Sequence, residues 1–194
     1  MNSPASVLDP NPPVQRYDRV AITLHWVVAV LIVLVGTLGL LHDSWPRSTQ
    51  AFWINLHALF GLSVWTLMVL RLWWRFRHPP PAPTPESGVL TYRLAYAVHA
   101  LLYVLVFVIP LIGIVTFIWH GRAFDFGLFK VDFGVKSNRA IFNPTEDVHG
   151  YLAYILFVLI GLHVLAALWH QFVRRDRLMQ RMWPAAPAKP RLRP

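Results

Sequence analysis

Residues 148–173 read VHGYLAYILFVLIGLHVLAALWHQFV, an apolar run that would measure about 39 Å as a helix, against a bilayer core of about 30 Å. It carries His149, His163 and His170. Ionisable side chains are costly inside a membrane and mark functional sites there. Fourteen residues separate His149 from His163, which gives about 21 Å of rise and brings both rings to one helix face within about 40°. The run therefore predicts two sites at different depths along one transmembrane helix.

Three further apolar stretches accompany this one in a chain of 194 residues that is 56% hydrophobic and 14% charged. Such a composition is typical of an integral membrane protein. The predicted spans are about 20–41, 52–74, 94–119 and 148–173, each long enough to cross a bilayer. We therefore expect one all-α membrane domain over 1–194, a bundle of four transmembrane helices with both termini on the same side. The proline-rich tails, 1–15 and 184–194, are expected to be disordered.

The orientation follows from the 18 lysines and arginines. Only five lie in the two loops on one side of the membrane, namely Arg47, Arg122, Lys130, Lys136 and Arg139. The others flank the spans on the opposite side, which the positive-inside rule assigns to the cytoplasm. Both termini are therefore predicted to be cytoplasmic. A net charge of +9 could also suit nucleic acid, but it concentrates beside the spans, so we expect anionic lipid as the partner and no nucleic acid.

The chain has no cysteine, which excludes disulfides, thiolate metal sites, iron–sulfur clusters and the thioether attachment of c-type haem. No carboxylate lies in the middle of any predicted span, so a carboxylate-bridged metal pair is not expected either. Histidine remains as the metal ligand. Paired histidines in a helical membrane bundle are typical of haem b.

Each histidine can be given a depth from its distance to the ends of its span. His57 and His149 are predicted near the outer face. The inner level holds four histidines: His25, His99, His163 and His170. Spacing alone leaves both His163 and His170 open as the partner of His25, because they are seven residues apart and share a helix face. Glycines close to these histidines could let a flat macrocycle approach the backbone: Gly61, Gly150 and Gly161.

The segment 120–147 is unusually aromatic for a loop, with five phenylalanines. We expect it to fold back over the outer end of the bundle as a lid that includes a short surface helix. Residues 78–86, HPPPAPTPE, are typical of a stiff polyproline-like linker between the second and third spans.

Five segments together resemble the bacterial cytochrome b561 family. They are RYDRVAITLHW at 16–26, INLHALFGL at 54–62, LMVLRLWWR at 67–75, VHALLYVLVFVIPLIG at 98–113 and VHGYLAYILFVLIGLHVLAALWH at 148–170. The resemblance extends over about 16–184. Its specificity comes from the order of these motifs along matching spans. It implies a di-haem b protein of the bacterial inner membrane that exchanges electrons with the quinone pool.

Carried onto this sequence, the resemblance implies that His25 and His163 ligate the inner haem and that His57 and His149 ligate the outer haem. His99 and His170 are candidates for contacts with the cofactor or the quinone, and Arg71 and Arg75 for haem propionates. One branch of similar sequences oxidises superoxide at the periplasmic face and reduces ubiquinone, which would make this chain a superoxide:quinone oxidoreductase. The candidates for attracting superoxide are then the five basic residues of the outer loops: Arg47, Arg122, Lys130, Lys136 and Arg139.

Two other functions are compatible with parts of the pattern. A cytochrome b subunit could dock a hydrogenase or another dehydrogenase as its protein electron donor, although the short loops offer little docking surface outside 120–147. A haem-free membrane scaffold or transporter would require the four matched histidines to be accidental.

Overall fold

The computed structural model describes residues 15–81 and 88–184. Its long helices are α1 (Arg19–Leu40), α2 (Arg47–Arg77), α3 (Val89–Trp119) and α4 (Arg139–Trp169). All four are long and apolar enough to cross a membrane. The prediction of an all-α protein with four spans is therefore confirmed. Nearly all of the two predicted tails and the middle of the proline-rich linker lie outside the described residues.

Helix α4 begins at Arg139, well before the predicted span that starts at Val148. The side chain of Asn138 caps it by accepting a hydrogen bond from the Ala140 N–H at 3.1 Å. The first turns are polar, so hydropathy does not reveal them. His149 consequently lies inside a continuous helix, where its backbone is fixed on both sides.

Consecutive helices pack against each other, α1 on α2, α2 on α3 and α3 on α4. Their shared core is apolar and consists of Val28, Val64, Met68, Leu105, Val106, Ile109 and Leu156. Large apolar side chains such as Val33, Phe76 and Leu165 are exposed on the outside of the bundle. In a lipid bilayer these side chains face acyl chains, so their exposure is the arrangement expected of a membrane protein.

Both described ends of the chain meet at one end of the bundle, here named the terminal end. The Tyr17 N–H donates to the carbonyl of Arg181 at 3.1 Å, and the Arg181 Nε–H donates to the carbonyl of Gln15 at 3.1 Å. The Trp26 indole N–H donates to the carbonyl of Met182 at 2.9 Å. The segments that precede α1 and follow α4 are thereby bound to each other.

The opposite end of the bundle, named the hairpin end, is covered by 120–138. This segment forms an antiparallel hairpin of β1 (Phe124–Asp125) and β2 (Lys130–Val131). The prediction of a short surface helix in this segment was therefore wrong. Gly127 supplies a positive φ of 82° and its N–H donates to the Asp125 carboxylate at 2.9 Å, which closes a turn instead of a helix.

The hairpin is bound to the bundle as a lid. Asn55 of α2 exchanges two hydrogen bonds with the backbone of Asp125, at 2.9 and 3.0 Å. Phe124 is buried, and its ring centre lies 4.4 Å from that of Phe117 on α3. Asn55 precedes His57 by two residues, so the lid is attached within one helical turn of one of the predicted ligands.

Candidate functional site

The outer pair, His57 of α2 and His149 of α4, lies near the hairpin end. The two imidazole centres are 6.0 Å apart and the ring planes are inclined at 76°. Nδ1 of His57 lies 2.9 Å from the carbonyl oxygen of Val35, and Nδ1 of His149 lies 3.0 Å from that of Ile109. A carbonyl oxygen can only accept, so each Nδ1 carries the proton. Each Nε2 therefore keeps a lone pair that is available to a metal ion.

A glycine of a neighbouring helix lies against each ring of the outer pair. A Cβ atom placed on Gly39 of α1 would be 3.0 Å from Cε1 of His57, and one on Gly113 of α3 would be 2.9 Å from Cε1 of His149. The two imidazoles therefore occupy space that any other residue would fill. By contrast, the glycines singled out from the sequence have no atom within 4 Å of an added Cβ, which leaves room beside their backbone: Gly61, Gly150 and Gly161.

The inner pair, His25 of α1 and His163 of α4, lies deeper toward the terminal end. Its ring centres are 6.5 Å apart with planes at 73°. Nδ1 of His25 is buried and has no hydrogen-bond partner among the described residues. The structure thus places His163, and not His170, opposite His25.

A third imidazole stands beside the inner pair. The ring centre of His99 is 5.2 Å from that of His163, and its Nδ1 lies 2.6 Å from the carbonyl oxygen of Ala95. His99 also lines a groove of about 480 Å³ between α2 and α3. Arg75 and Tyr103 line the same groove, whose remaining wall is mostly apolar. An apolar groove with a few polar groups at one end suits a flat, largely apolar ligand.

Arg71 and Arg75 share one aromatic ring. Their guanidinium carbons lie 5.4 and 5.7 Å from the ring centre of Tyr103. Neither arginine forms a salt bridge with a carboxylate of the described residues. Two half-buried cations on one ring, next to the inner pair, form a place where an anionic group would be held by charge-assisted hydrogen bonds.

His170 has a different partner from the other histidines. Its Nδ1 contacts the Asp176 carboxylate at 2.5 Å, and the side chains are 13% and 18% exposed. A π-helical turn, His170–Arg174, and a left-handed residue, Arg175 at φ 54°, fold the chain back so that Asp176 reaches this ring. His170 and Asp176 therefore form a separate imidazole–carboxylate pair at the terminal end.

The five basic candidates of the outer loops lie at or near the hairpin end. Four of them are exposed: Arg47, Lys130, Lys136 and Arg139. Lys130 is bound to Asp125 at 2.9 Å, and this hydrogen bond lowers the pKa of the Asp125 carboxyl. Arg122 is half-buried; burial lowers the pKa of its guanidinium, an effect that nearby Glu146 opposes. The other three exposed cations, Arg47, Lys136 and Arg139, form no salt bridge with a carboxylate of the described residues.

Comparison with known proteins bears on this arrangement. The family model described as prokaryotic cytochrome b561 matches residues 16–185. The chain belongs to the prokaryotic cytochrome b561 family. A relative from Yersinia pestis named probable superoxide oxidase CybB is 30% identical over 88% of this chain and 97% of its own length. Cytochrome b561 homolog 1 of Escherichia coli K12 is 28% identical over 87% of this chain and 97% of its own length.

This b561-family protein is thus a multi-pass bacterial membrane protein of electron transport, and its family implies haem b. The histidine pairs fit that cofactor. Two metal–nitrogen bonds of about 2 Å, with the nitrogen-to-centre distance of each ring, put opposite imidazole centres about 6 Å apart, as both pairs have them. No cluster of three metal-ligating side chains occurs in 15–81 and 88–184. The macrocycle of haem b would supply the remaining ligands to an iron held by two imidazoles.

Several residues around the sites of this b561-family protein were not predicted from its sequence. They are Val35, Gly39, Asn55, Tyr103, Ile109, Gly113 and Asp176. The glycines could have been noticed as small residues within apolar spans, but spacing does not indicate which of them meets a histidine. The carbonyl acceptors leave no signal in the sequence, because every residue has a carbonyl group.

Proposed function

We propose that this b561-family protein holds two haem b groups and passes electrons across the bacterial inner membrane from superoxide to ubiquinone. The outer haem is ligated by His57 and His149, and the inner haem by His25 and His163. The observation that carries the proposal is the presence of two facing imidazole pairs at two depths, both of which use α4. Bound haem supplies the one-electron chemistry that no side chain of this protein offers.

Around the inner haem, the protein supplies charge and shape. Arg71 and Arg75 are placed on Tyr103 to hold propionate carboxylates. The groove lined by His99 and Arg75 takes the edge of the flat cofactor or the ring of the quinone. Both uses are supported by the 5.2 Å distance between the rings of His99 and His163.

Quinone reduction also needs protons, and the His170–Asp176 pair is suited to deliver them. The Nδ1 of His170 is bound to the carboxylate, which leaves Nε2 to donate to a quinone carbonyl oxygen. The carboxylate orients the ring so that Nε2 points away from it. The ubiquinone thus gains two electrons and two protons, and the protons are taken from the terminal end, which charge predicts to be cytoplasmic.

At the hairpin end the substrate is a small anion. Exposed cations raise the local concentration of superoxide and speed its encounter with the outer site. Arg47, Lys136 and Arg139 form no salt bridge within the described part of the chain and are available for this. Each superoxide gives up one electron and leaves as dioxygen. The name of the Yersinia pestis relative supports this donor.

The test is a visible spectrum and haem-to-protein ratio of the detergent-purified protein, followed by anaerobic mixing with a superoxide source and then with a soluble quinone. We expect two low-spin b haems that are reduced by superoxide and reoxidised by quinone. Two haems that ignore superoxide, in a protein that co-purifies with a dehydrogenase, would instead indicate an electron-transfer subunit. A colourless protein would contradict the proposal altogether.

A further inference from the structure

The two histidine pairs differ in what their Nδ1 atoms meet. In the outer pair both Nδ1–H groups donate to backbone carbonyls, those of Val35 and Ile109. In the inner pair the Nδ1 of His25 is buried without a partner among the described residues. An imidazole that donates its Nδ1–H becomes a more basic ligand. More strongly donating ligands stabilise the oxidised, more positive iron and lower its reduction potential.

The glycines and the carbonyls form the same arrangement twice. Val35 and Gly39 are four residues apart on α1, and Ile109 and Gly113 are four residues apart on α3. In each case the edge of an imidazole lies on the glycine while its Nδ1–H reaches the carbonyl one helical turn earlier. The ring can reach that carbonyl only because the glycine has no side chain.

We propose that Gly39 and Gly113 are positioning residues for the outer pair. They keep both imidazoles bonded to backbone carbonyls, and this makes the outer haem the centre of lower potential. The inference rests on the proposed function, since it requires a haem at each pair. The consequence is a preferred direction of electron transfer. Transfer from the outer to the inner haem would be accompanied by a fall in free energy, and transfer in reverse by a rise.

An added methyl group tests the arrangement with little change elsewhere. In Gly39→Ala the new Cβ would lie 3.0 Å from Cε1 and 3.3 Å from Nδ1 of His57, so the ring must shift by a few tenths of an ångström and its bond to Val35 is weakened. Gly113→Ala acts in the same way on His149, at 2.9 and 3.1 Å. The control is Gly36→Ala on α1, whose Cβ would lie 2.3 Å from the tip of the Phe157 ring, so that this ring must shift and not a ligand.

The readouts are a redox titration of the visible haem bands and the electron paramagnetic resonance spectrum of the oxidised protein. In both glycine variants we expect the lower-potential transition to shift upward or to disappear, while the higher one stays in place. One of the two low-spin resonance signals should change with it, because that signal depends on the angle between the imidazole planes. Gly36→Ala should leave both transitions and both signals unchanged.

Removing one ligand assigns the transitions to the two sites. His57→Ala should leave only the higher-potential transition, and His25→Ala only the lower one. The inference would be overturned if the lower-potential transition survived in His57→Ala. It would also be overturned if the glycine variants shifted the higher-potential transition, or if they shifted neither transition. A shift of the same size in Gly36→Ala would overturn it too. A wild-type protein that contains no haem would overturn the proposed function as well. If the wild-type protein contains two haems, the contrary results named above would overturn only the inference.

Discussion

His57 and His149 face each other from α2 and α4 with their ring centres 6.0 Å apart and their planes at 76°. Neither ring is held by its own helix alone, because each Nδ1–H is bound to a carbonyl of another helix. The outer pair therefore joins all four helices. The inner pair, His25 and His163, is a separate contact between α1 and α4, so the two proposed haem sites can be tested one at a time.

Replacing one ligand should remove one haem and leave the other. We expect His57→Ala or His149→Ala to reduce the haem-to-protein ratio from about two to about one, because a haem with a single axial imidazole is held weakly. His25→Ala or His163→Ala should do the same for the inner haem. The pyridine haemochrome assay measures the ratio.

His120 is a suitable control for these ligand variants. It stacks on Phe142 at 4.2 Å and does not face a second histidine, so His120→Ala should retain both haems. If His120→Ala lost a haem while His149→Ala retained two, the ligand assignment would be wrong.

Neutralising the arginines on Tyr103 should affect the inner haem selectively. We expect Arg71→Gln with Arg75→Gln to weaken retention of that haem roughly tenfold, as for the loss of a charge-assisted hydrogen bond of about 1.5 kcal/mol. The inner potential should also fall, because a positive charge beside the iron favours the reduced state. In the variant with lysine at both positions, the potential of the inner haem should be closer to the wild-type value than the retention of that haem is. Lysine keeps the positive charge but not the bidentate geometry of arginine.

Arg77 provides the comparison for this pair. Its guanidinium lies over Trp73 at 5.6 Å and outside the groove, so Arg77→Gln should leave both haems and both potentials unchanged. If Arg77→Gln lost as much haem as the variant with Arg71→Gln and Arg75→Gln, the loss would indicate a general effect of charge on membrane insertion or folding.

Removing the free cations at the hairpin end should slow the encounter with superoxide. In Arg47→Gln with Lys136→Gln and Arg139→Gln we expect the bimolecular rate to fall about tenfold at low salt. The wild-type rate should fall toward that of the variant as ionic strength rises, because salt screens exposed charges. Pulse radiolysis followed at the haem bands measures the rate.

The matched control neutralises three basic residues at the terminal end: Arg16, Arg77 and Arg174. This variant carries the same net charge as the first, so a general effect of net charge would slow both equally. A rate unaffected by either set of substitutions would rule out electrostatic attraction.

The His170–Asp176 pair should be required for quinone reduction and not for haem reduction. Asp176→Asn removes the carboxylate that orients the imidazole, so we expect reoxidation by quinone to slow about tenfold or more. Stopped-flow spectroscopy separates the two half-reactions. His78→Gln is the control, because His78 stacks on Trp74 at the same end and forms no salt bridge with a carboxylate of the described residues. Slower reoxidation in this variant as well would argue against a specific proton donor.

The lid should loosen only in acid. The hydrogen bond from Lys130, followed by that from the Gly127 N–H, lowers the pKa of Asp125 below its ordinary value of 3.8. The folded pKa lies below the unfolded one, so this contribution to stability is present above about pH 4 and is lost as the pH falls through the folded pKa. Hydrogen exchange of the hairpin amides, corrected for the intrinsic rate, should rise over that acidic range.

Asp125→Asn should exchange rapidly at all of these pH values and lose the pH dependence. Asp132→Asn is the control, since Asp132 accepts a hydrogen bond from the Gly134 N–H but has no salt bridge to a described lysine or arginine. A lid that loosened near neutral pH would contradict the assignment to Asp125.

The sequence by itself determined the four spans and the two depths of the histidines. Both are local properties of a helix: length and apolar composition set the crossing, and the period of 3.6 residues puts His149 and His163 on one face of α4. The hidden start of α4 and the hairpin were missed, because polar turns carry no hydropathy signal.

Only the tertiary structure decided what each imidazole meets. His163 and His170 share a helix face, and spacing could not choose between them; the fold-back after Trp169 gives His170 the carboxylate of Asp176 and leaves His163 opposite His25. The contacts of the outer pair with Gly39 and Gly113 depend on how α1 and α3 pack beside α2 and α4. Such contacts join residues far apart in the chain, so no periodicity records them.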